Sequence, residues 1–329
     1  MNFNAAQLAV LVKENFASEF YRTFVRNFFF LRFIEAMGSK QQFAEKDVTW
    51  KLQIAGTPGA GSYSEHGSIG INRTDLGPRF ETAQLNWKLH DVPIVVSGLS
   101  QAISQSQSSI VEATAVATQD ALAELQKNIN LQCLADGNGN LNGVHSELNA
   151  GSDLVGVQAF WDDGGSVPIY AGIDRSAAPW WRSFVLRNST GTPRAITEEL
   201  IFQITNEVQG VRGFPINTVT CSQGVHTQFG MLLSGDRNYN FSGNDLPSYV
   251  AGFDVVKFKE LLVVKIPLYE RGRMDFWDSS QLAFKVLMDL QIDPRDAGDQ
   301  DAIKLFARTY NCLQYRNPFS AGSIRDLIE

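Results

Sequence analysis

Residues Leu99 to Ala135 read LSQAISQSQSSIVEATAVATQDALAELQKNINLQCLA. The run holds no Gly and no Pro, in a chain of 329 residues with 27 Gly and 11 Pro. Its second half is rich in Ala, Leu, Gln and Glu, which lose little side-chain freedom in a helix. Val111, Ala115, Leu122, Leu125, Ile129 and Cys133 recur at steps of three, four and seven, so they form one stripe. A helix from about Ser108 to Ala135 would be roughly 40 Å long at about 1.5 Å per residue. Asp136-Gly137-Asn138-Gly139 then stops it. The stripe is short and poor in flanking charge, which argues against a coiled coil. A girder with a sheet lying along it is the expected arrangement.

Upstream and downstream of the helix the period changes to two. Val48, Trp50, Leu52 and Ile54 alternate with Thr49, Lys51 and Gln53; Ala83, Leu85, Trp87 and Leu89 alternate with Gln84, Asn86 and Lys88. Each predicts a half-buried strand. The 28 residues between them, 55–82, carry six Gly and two Pro, so the two strands make a hairpin with a long excursion at its tip. Within it, Gly56 to Gly61 lacks the Gly-Lys-Ser/Thr ending of a phosphate loop. Far downstream, Phe284, Val286, Met288 and Leu290 alternate, 293–299 turns, and Ala302 to Tyr315 returns. A sheet built from 83–96 and 284–315 would lie on the helix stripe.

Residues 150–290 read as a second, mixed unit. Val155, Val157 and Ala159 suggest a strand. Thr197 is a good N-cap, with Glu198 and Glu199 placed to meet a helix N-terminus. Ile201, Ile204 and Val208 would face inward, with Gly210 closing that helix. A strand at 217–221, a helix from Ser222 and strands at 261–266 and 274–277 follow. At the N-terminus, Phe16, Phe20, Phe24 and Phe28 stand four apart, and Phe29, Phe30 and Phe33 widen their face. Two readings stand open there: a helix on its own core, or one packed on a neighbouring subunit.

The net charge is −7, and 19% of the residues are charged against 44% hydrophobic. A folded chain with so modest a charged surface is expected to be covered by copies of itself. No basic cluster suited to sequence-specific nucleic-acid binding is visible. No window has the apolar length of a membrane helix, and no secretory signal opens the chain. Cys133, Cys221 and Cys312 have no metal spacing, and His66, His90, His145 and His226 are scattered. Cys221 and His226 lie five apart and pose the alternative of a cysteine enzyme, without an identifiable orienting group or oxyanion donor. Asp136 to Glu147 matches a calcium loop at positions 1, 3, 5 and 12 but has Leu141 where the turn needs Gly. No catalytic, cofactor or metal residue is assigned.

The order of these parts resembles the major capsid proteins of tailed bacteriophages, the Hong Kong 97-like fold, from Val48 to the C-terminus. Leu134 to Gly139 into Asn142-Gly143-Val144 resembles that family's exit from its spine helix. Leu186-Arg187-Asn188 and Gly191 to Thr197 resemble the entry to its axial helix, and Ser279 to Leu282 and Tyr315 to Pro318 its returns between domains. The resemblance implies an α+β fold with an N-terminal arm (1–45), an extended β-hairpin E-loop (46–90), and a peripheral domain with the spine helix (91–139 and 281–314). The remainder, 140–280 with 315–329, would be the axial α/β domain. It implies a shell protein that self-assembles into hexamers and pentamers of an icosahedral head around double-stranded DNA, with no sequence-specific DNA contacts and no enzyme activity. An encapsulin-type compartment is the alternative on the same fold. Expected interface residues are Phe16, Phe20, Phe24, Phe28, Trp50, Tyr63, His66, Arg73, Arg79 and Trp87. Expected partners are further copies, a portal, a separate scaffolding protein (only about 45 residues precede the E-loop) and a decoration protein. The expected location is the virion, after assembly in the host cytoplasm, with no membrane and no cofactor. Residues 55–82 contain no lysine, so no isopeptide cross-link from the E-loop is expected.

Overall fold

In the computed structural model, the residues described are 29–54, 80–97, 107–137, 153–234, 255–258, 261–295 and 302–329. The chain begins there with helix α1 (Phe29–Ala36), short strand β1 (Lys40–Gln42), β2 (Val48–Gln53), β3 (Phe80–Leu85) and β4 (Lys88–Ser97). Helix α2 (Gln107–Leu134) follows, 28 residues long. The expected girder is therefore present, with its start one residue from the anticipated one.

The girder is not lined by one narrow stripe. Leu122, Leu125, Ile129 and Cys133 are buried as expected, but so are Gln126, Asn130, Leu131, Gln132 and Leu134. From Ile129 to its end α2 is enclosed on all sides. Phe30, Phe33 and Ile34 of α1 share its buried cluster, and so do Leu154 and Val157 from the chain that returns past its end. That return is tight. Gln132 Oε1 accepts the Leu154 N–H at 3.0 Å, and a Cβ on Gly156 would meet the Gln132 carbonyl at 2.4 Å, so only glycine fits. The strand expected from Val155, Val157 and Ala159 is instead a helical turn, α3 (Val157–Phe160). The backbone must turn there to bring Phe160 and Trp161 under the sheet, where both are fully buried.

The sheet along the girder is built as expected from distant pieces. Strands β12 (Leu282–Arg295) and β13 (Ala302–Tyr315) form a long hairpin. The order is β1-β12-β13-β4, with β1 parallel to β12 and the other pairs antiparallel. Ile94, Ile292, Leu305 and Ala307 meet Leu122 of α2. The simple alternation through Phe284 to Leu290 breaks at two register shifts, between Val286 and Met288 and between Met288 and Gln291. Phe284 and Val286 are buried, Met288 and Leu290 only half so, and Ile292 is buried again.

The expected hairpin pairs Val48 with Leu85 and Gln53 with Phe80. Its second strand does not run unbroken through 83–89. The chain leaves β3 at Asn86-Trp87 and enters β4 with a new partner, β13. The buried face changes phase at that break: Ala83 and Leu85 are buried, but Leu89 is 65% exposed and His90 is buried in its place.

The second unit is a six-stranded mixed sheet with helices on it. Its strands are β7 (Phe184–Leu186), β8 (Thr218–Cys221), β9 (Val255–Phe258), β10 (Leu261–Lys265), β11 (Met274–Trp277) and β14 (Gly322–Ile324), in the order β7-β14-β11-β8-β10-β9. Strands β5 (Ile169–Tyr170) and β6 (Ile173–Asp174) make a small separate hairpin. Helix α4 (Glu198–Thr205) is capped by Thr197, whose side chain accepts the Leu200 N–H. Ile201, Ile204 and Val208 are buried. Gly210 does not close it: the helix widens into a π turn over Asn206–Val211, and Gly213, at φ +75°, ends it. Helix α5 (Gln223–Ser234) buries Val225, Phe229 and Leu233.

Candidate subunit interface

Residues 29–43, counted with the arm in the sequence reading, lie against α2 and the first sheet, and Phe33 meets Trp277 edge to face. Phe30 and Phe33 pack on their own core. Phe16, Phe20, Phe24 and Phe28 lie outside the described residues, as do Tyr63, His66, Arg73 and Arg79 of the hairpin. The loop Gly56 to Gly61 also lies outside them, as does all of the calcium-like stretch beyond Gly137.

Trp50 and Trp87 are described, and both are tied into their own subunit. The Trp50 indole N–H donates to the Arg316 carbonyl at 2.9 Å, and its ring lies 6.4 Å from that of Trp181. The Trp87 indole donates to the Glu45 carbonyl at 2.8 Å, with its ring 6.2 Å from Phe43. On the other strand of the hairpin, Gln84 N–H donates to the Ala171 carbonyl at 3.0 Å. The base of the hairpin is thus pinned to the second unit from both strands.

These anchors wall a groove of 810 Å3. One side is β2 and Ile54; the other is Trp180-Trp181, Arg212, Phe214 and Phe319; the floor includes Lys285 and Gln314 of the first sheet. Trp181 is held rigidly. It is fully buried, stacks on Tyr170 at 5.7 Å, and donates to the Tyr170 carbonyl at 3.0 Å. Beneath it, the buried Arg175 guanidinium donates to the carbonyls of Trp181, Val167 and Phe160 at 3.2, 3.1 and 3.0 Å. Burial pulls that guanidinium down to about 10, still charged at neutral pH. Arg212 lies over the Phe319 ring at 4.1 Å and donates to the Arg182 and Phe319 carbonyls. Lys285 lies over Phe43 at 4.7 Å and donates to Gln41 Oε1; burial, then the Arg316 charge, lowers its pKa.

Apolar side chains also stand at the surface. Phe80 on the hairpin is 64% exposed, Leu89 on β4 is 65%, and Val211 at the π turn is 75%. The sequence reading missed Trp180, Trp181, Arg212 and Phe319. The adjacent tryptophans after Pro179 were a readable signal; the Arg212–Phe319 contact spans 107 residues and was not.

The thiol chemistry of the enzyme alternative has no basis in this environment. Cys133, Cys221 and Cys312 are all buried and unbridged. Cys221 Sγ points to the Val264 carbonyl at 3.8 Å, and burial pushes its thiol far up. Cys312 is pushed up to about 12. Among the described residues no group of His, Cys, Asp and Glu is placed to hold a metal. No described helix is long and apolar enough to cross a membrane.

Residues 87–327 match the family model described as SU10 major capsid protein. Among solved structures, the chain is similar to the cyanophage A-1(L) capsid asymmetric unit, with a TM-score of 0.69 at 16% identity over 92% of this chain and 95% of that one. It is similar to the satellite phage P4 procapsid including size determination (Sid) protein, at 0.50 and 10% identity over 95% and 100%. A Gordonia phage Cozz structure matches at 0.50 and 11% identity over 90% and 86%. At these identities the likenesses show the fold, which is Hong Kong 97-like. No curated protein matches the chain in sequence.

Proposed function

The chain belongs to the SU10 major capsid protein family, and from that premise we propose how its parts build the shell. It is a structural protein of the phage virion, not an enzyme, and it self-assembles into a capsid. Copies associate as hexamers and pentamers. The hairpin Val48–Leu85 serves as the E-loop, reaching over a neighbouring subunit, and residues 1–28 serve as the arm that engages another. The first sheet with α2 acts as the peripheral domain; the six-stranded sheet with α4 and α5 acts as the axial domain around each capsomer centre.

The observation that supports this reading is the hairpin's asymmetry. Its base is pinned by Trp50 to Arg316 and by Gln84 to Ala171, while Phe80, at the far end of the described part, is 64% exposed. A rigid base with an apolar outer end is suited to placing that end on another molecule. Leu89, on the sheet that continues from it, offers a matching apolar surface.

Double-stranded DNA is enclosed without sequence-specific contacts, in keeping with a net charge of −7. A portal, a separate scaffolding protein and a decoration protein are the further partners, with assembly in the host cytoplasm. The P4 procapsid is named together with a size-determination protein, which makes an assembly partner on another chain a reasonable expectation here. Hydrogen exchange on assembled and dissociated protein tests the scheme. Protection on assembly should concentrate in 1–28, in 54–80 and on β4. Protection confined to α2 and the six-stranded sheet would contradict it.

A further inference from the structure

The groove between β2 and the second unit has a chemistry unlike the chain as a whole. Lys51, Arg212, Lys285 and Arg316 border it, and among the described residues no Asp or Glu does, in a protein of net charge −7. Its other walls are largely aromatic. Every residue from Val48 to Ile54 borders it, on both phases of the strand's alternation. Strand β2 therefore turns its edge, not one face, to the groove. Among the described residues its strand partner is β3, on its other edge. An open strand edge offers main-chain groups to a polypeptide. Arg212 is already paired with Glu207 at 3.3 Å; Lys51 and Arg316 ask for carboxylates on that polypeptide and the rings for aromatic side chains.

One stretch of this chain fits. Residues 14–21 are Glu14-Asn15-Phe16-Ala17-Ser18-Glu19-Phe20-Tyr21: two carboxylates, three aromatic rings and no cation. No other eight residues outside the described part combine these features. A second copy is the source that the position of α1 favours. In its own subunit α1 packs with Phe284 and Leu313, on the face of the first sheet opposite Lys285 and Gln314, which floor the groove. Phe29, where the described chain begins, thus belongs to a helix on the far side of that sheet.

We infer that the groove is the receptor for residues 14–21 of a neighbouring subunit, laid along β2 as an added strand ahead of the run Phe24 to Phe30. This rests on the shell reading above and assigns to the arm a specific seat. The carboxylates of Glu14 and Glu19 meet Lys51 and Arg316 at the rim, and Phe16 and Phe20 lie against the aromatic wall.

The test uses the full chain. Phe20 is replaced by the photo-reactive p-benzoylphenylalanine, and heavy- and light-isotope subunits are mixed, assembled, irradiated and digested. Mixed-isotope cross-links to peptides holding Trp50, Trp180 or Phe319 are expected. Cross-links confined to one subunit, or to other surfaces, overturn the inference. In parallel, Glu14→Lys with Glu19→Lys should lower particle yield about tenfold, as like charges meet at the rim. Adding Lys51→Glu with Arg316→Glu should restore it to within about threefold. Unchanged loss in the combined variant, with native circular dichroism, also overturns it. Particles that the p-benzoylphenylalanine chain forms without these cross-links sink the inference alone. Failure of the unaltered chain to form any particle sinks the shell reading and the inference with it.

Discussion

Tyr170 and Tyr315, 145 residues apart, hold each other through one hydroxyl. Tyr170 Oη donates to the Tyr315 carbonyl at 2.9 Å and accepts the Tyr315 N–H at 3.0 Å. Both side chains are buried. The contact sits where β13 leaves the first sheet for the second unit, beside the Trp181 wall. Tyr170→Phe keeps the ring but strands both main-chain groups in the interior. A loss of about 2 kcal/mol in subunit stability is expected, read as a lower urea midpoint with unchanged slope. An unshifted midpoint would show that the hydroxyl is dispensable.

A second tie crosses the same region. Asp162, with a fully buried side chain, accepts N–H groups from Gly164, Ser166 and Val167 at 2.9–3.0 Å and the Arg325 guanidinium at 2.8 Å. Burial alone would raise its pKa; the Val167 N–H and the Arg325 charge outweigh it and hold the carboxyl below the usual range. A carboxyl depressed in the fold stabilises fully above its unfolded value, about 3.9. That contribution is lost as pH falls through the lower folded value. Asp162→Asn should cost about 3 kcal/mol at neutral pH, because Arg325 is left without its carboxylate. The deficit against the parent should shrink below about pH 4. An equal deficit at pH 7 and pH 3 would contradict this origin.

His90 acts in the same direction in a higher pH window. Its burial on β4 lowers its pKa to about 4, against about 6.5 in an unfolded chain. Above pH 6.5 both states are neutral and the residue contributes no pH dependence. Below it the unfolded chain takes up the proton first, so stability falls with falling pH by about 1.4 kcal/mol per unit until about pH 4. His90→Phe should flatten the urea-midpoint profile across that window. A profile unchanged by the substitution would mean that other groups carry the slope.

Deleting residues 57–76 removes the far part of the hairpin while keeping both strands and their anchors at Trp50 and Gln84. The subunit should fold with near-native circular dichroism but assemble poorly. Normal particles from that deletion would sink the E-loop assignment.

The features legible in the sequence are those set by local pattern. The helix Gln107–Leu134 shows in a run without Gly or Pro, the hairpin register in alternation, and α4 in the Thr197 cap. Three strands of the first sheet, β4, β12 and β13, were legible because they alternate, although they lie far apart; β1, counted with the arm, was not. What local pattern could not supply was set by partners distant in the chain. The buried phase reverses between β3 and β4 because β3 pairs with β2 and β4 with β13, which turns Leu89 outward and His90 inward. The enclosure of Gln126, Asn130 and Gln132 depends on α1 and the return at Leu154. The groove is less visible still: Trp50, Trp181, Arg212 and Phe319 meet only once three separate parts of the chain have folded together, and a buried Arg175 satisfied by three carbonyls leaves no signature in residue order.

The central claim, that this chain builds a closed shell from copies of itself, is tested most directly by sedimentation of the purified full chain combined with electron micrographs of the fractions. The account predicts megadalton shells of uniform curvature, or the hexamers and pentamers from which they form. A stable monomer or small oligomer across the concentrations and salts at which related shells assemble would contradict it.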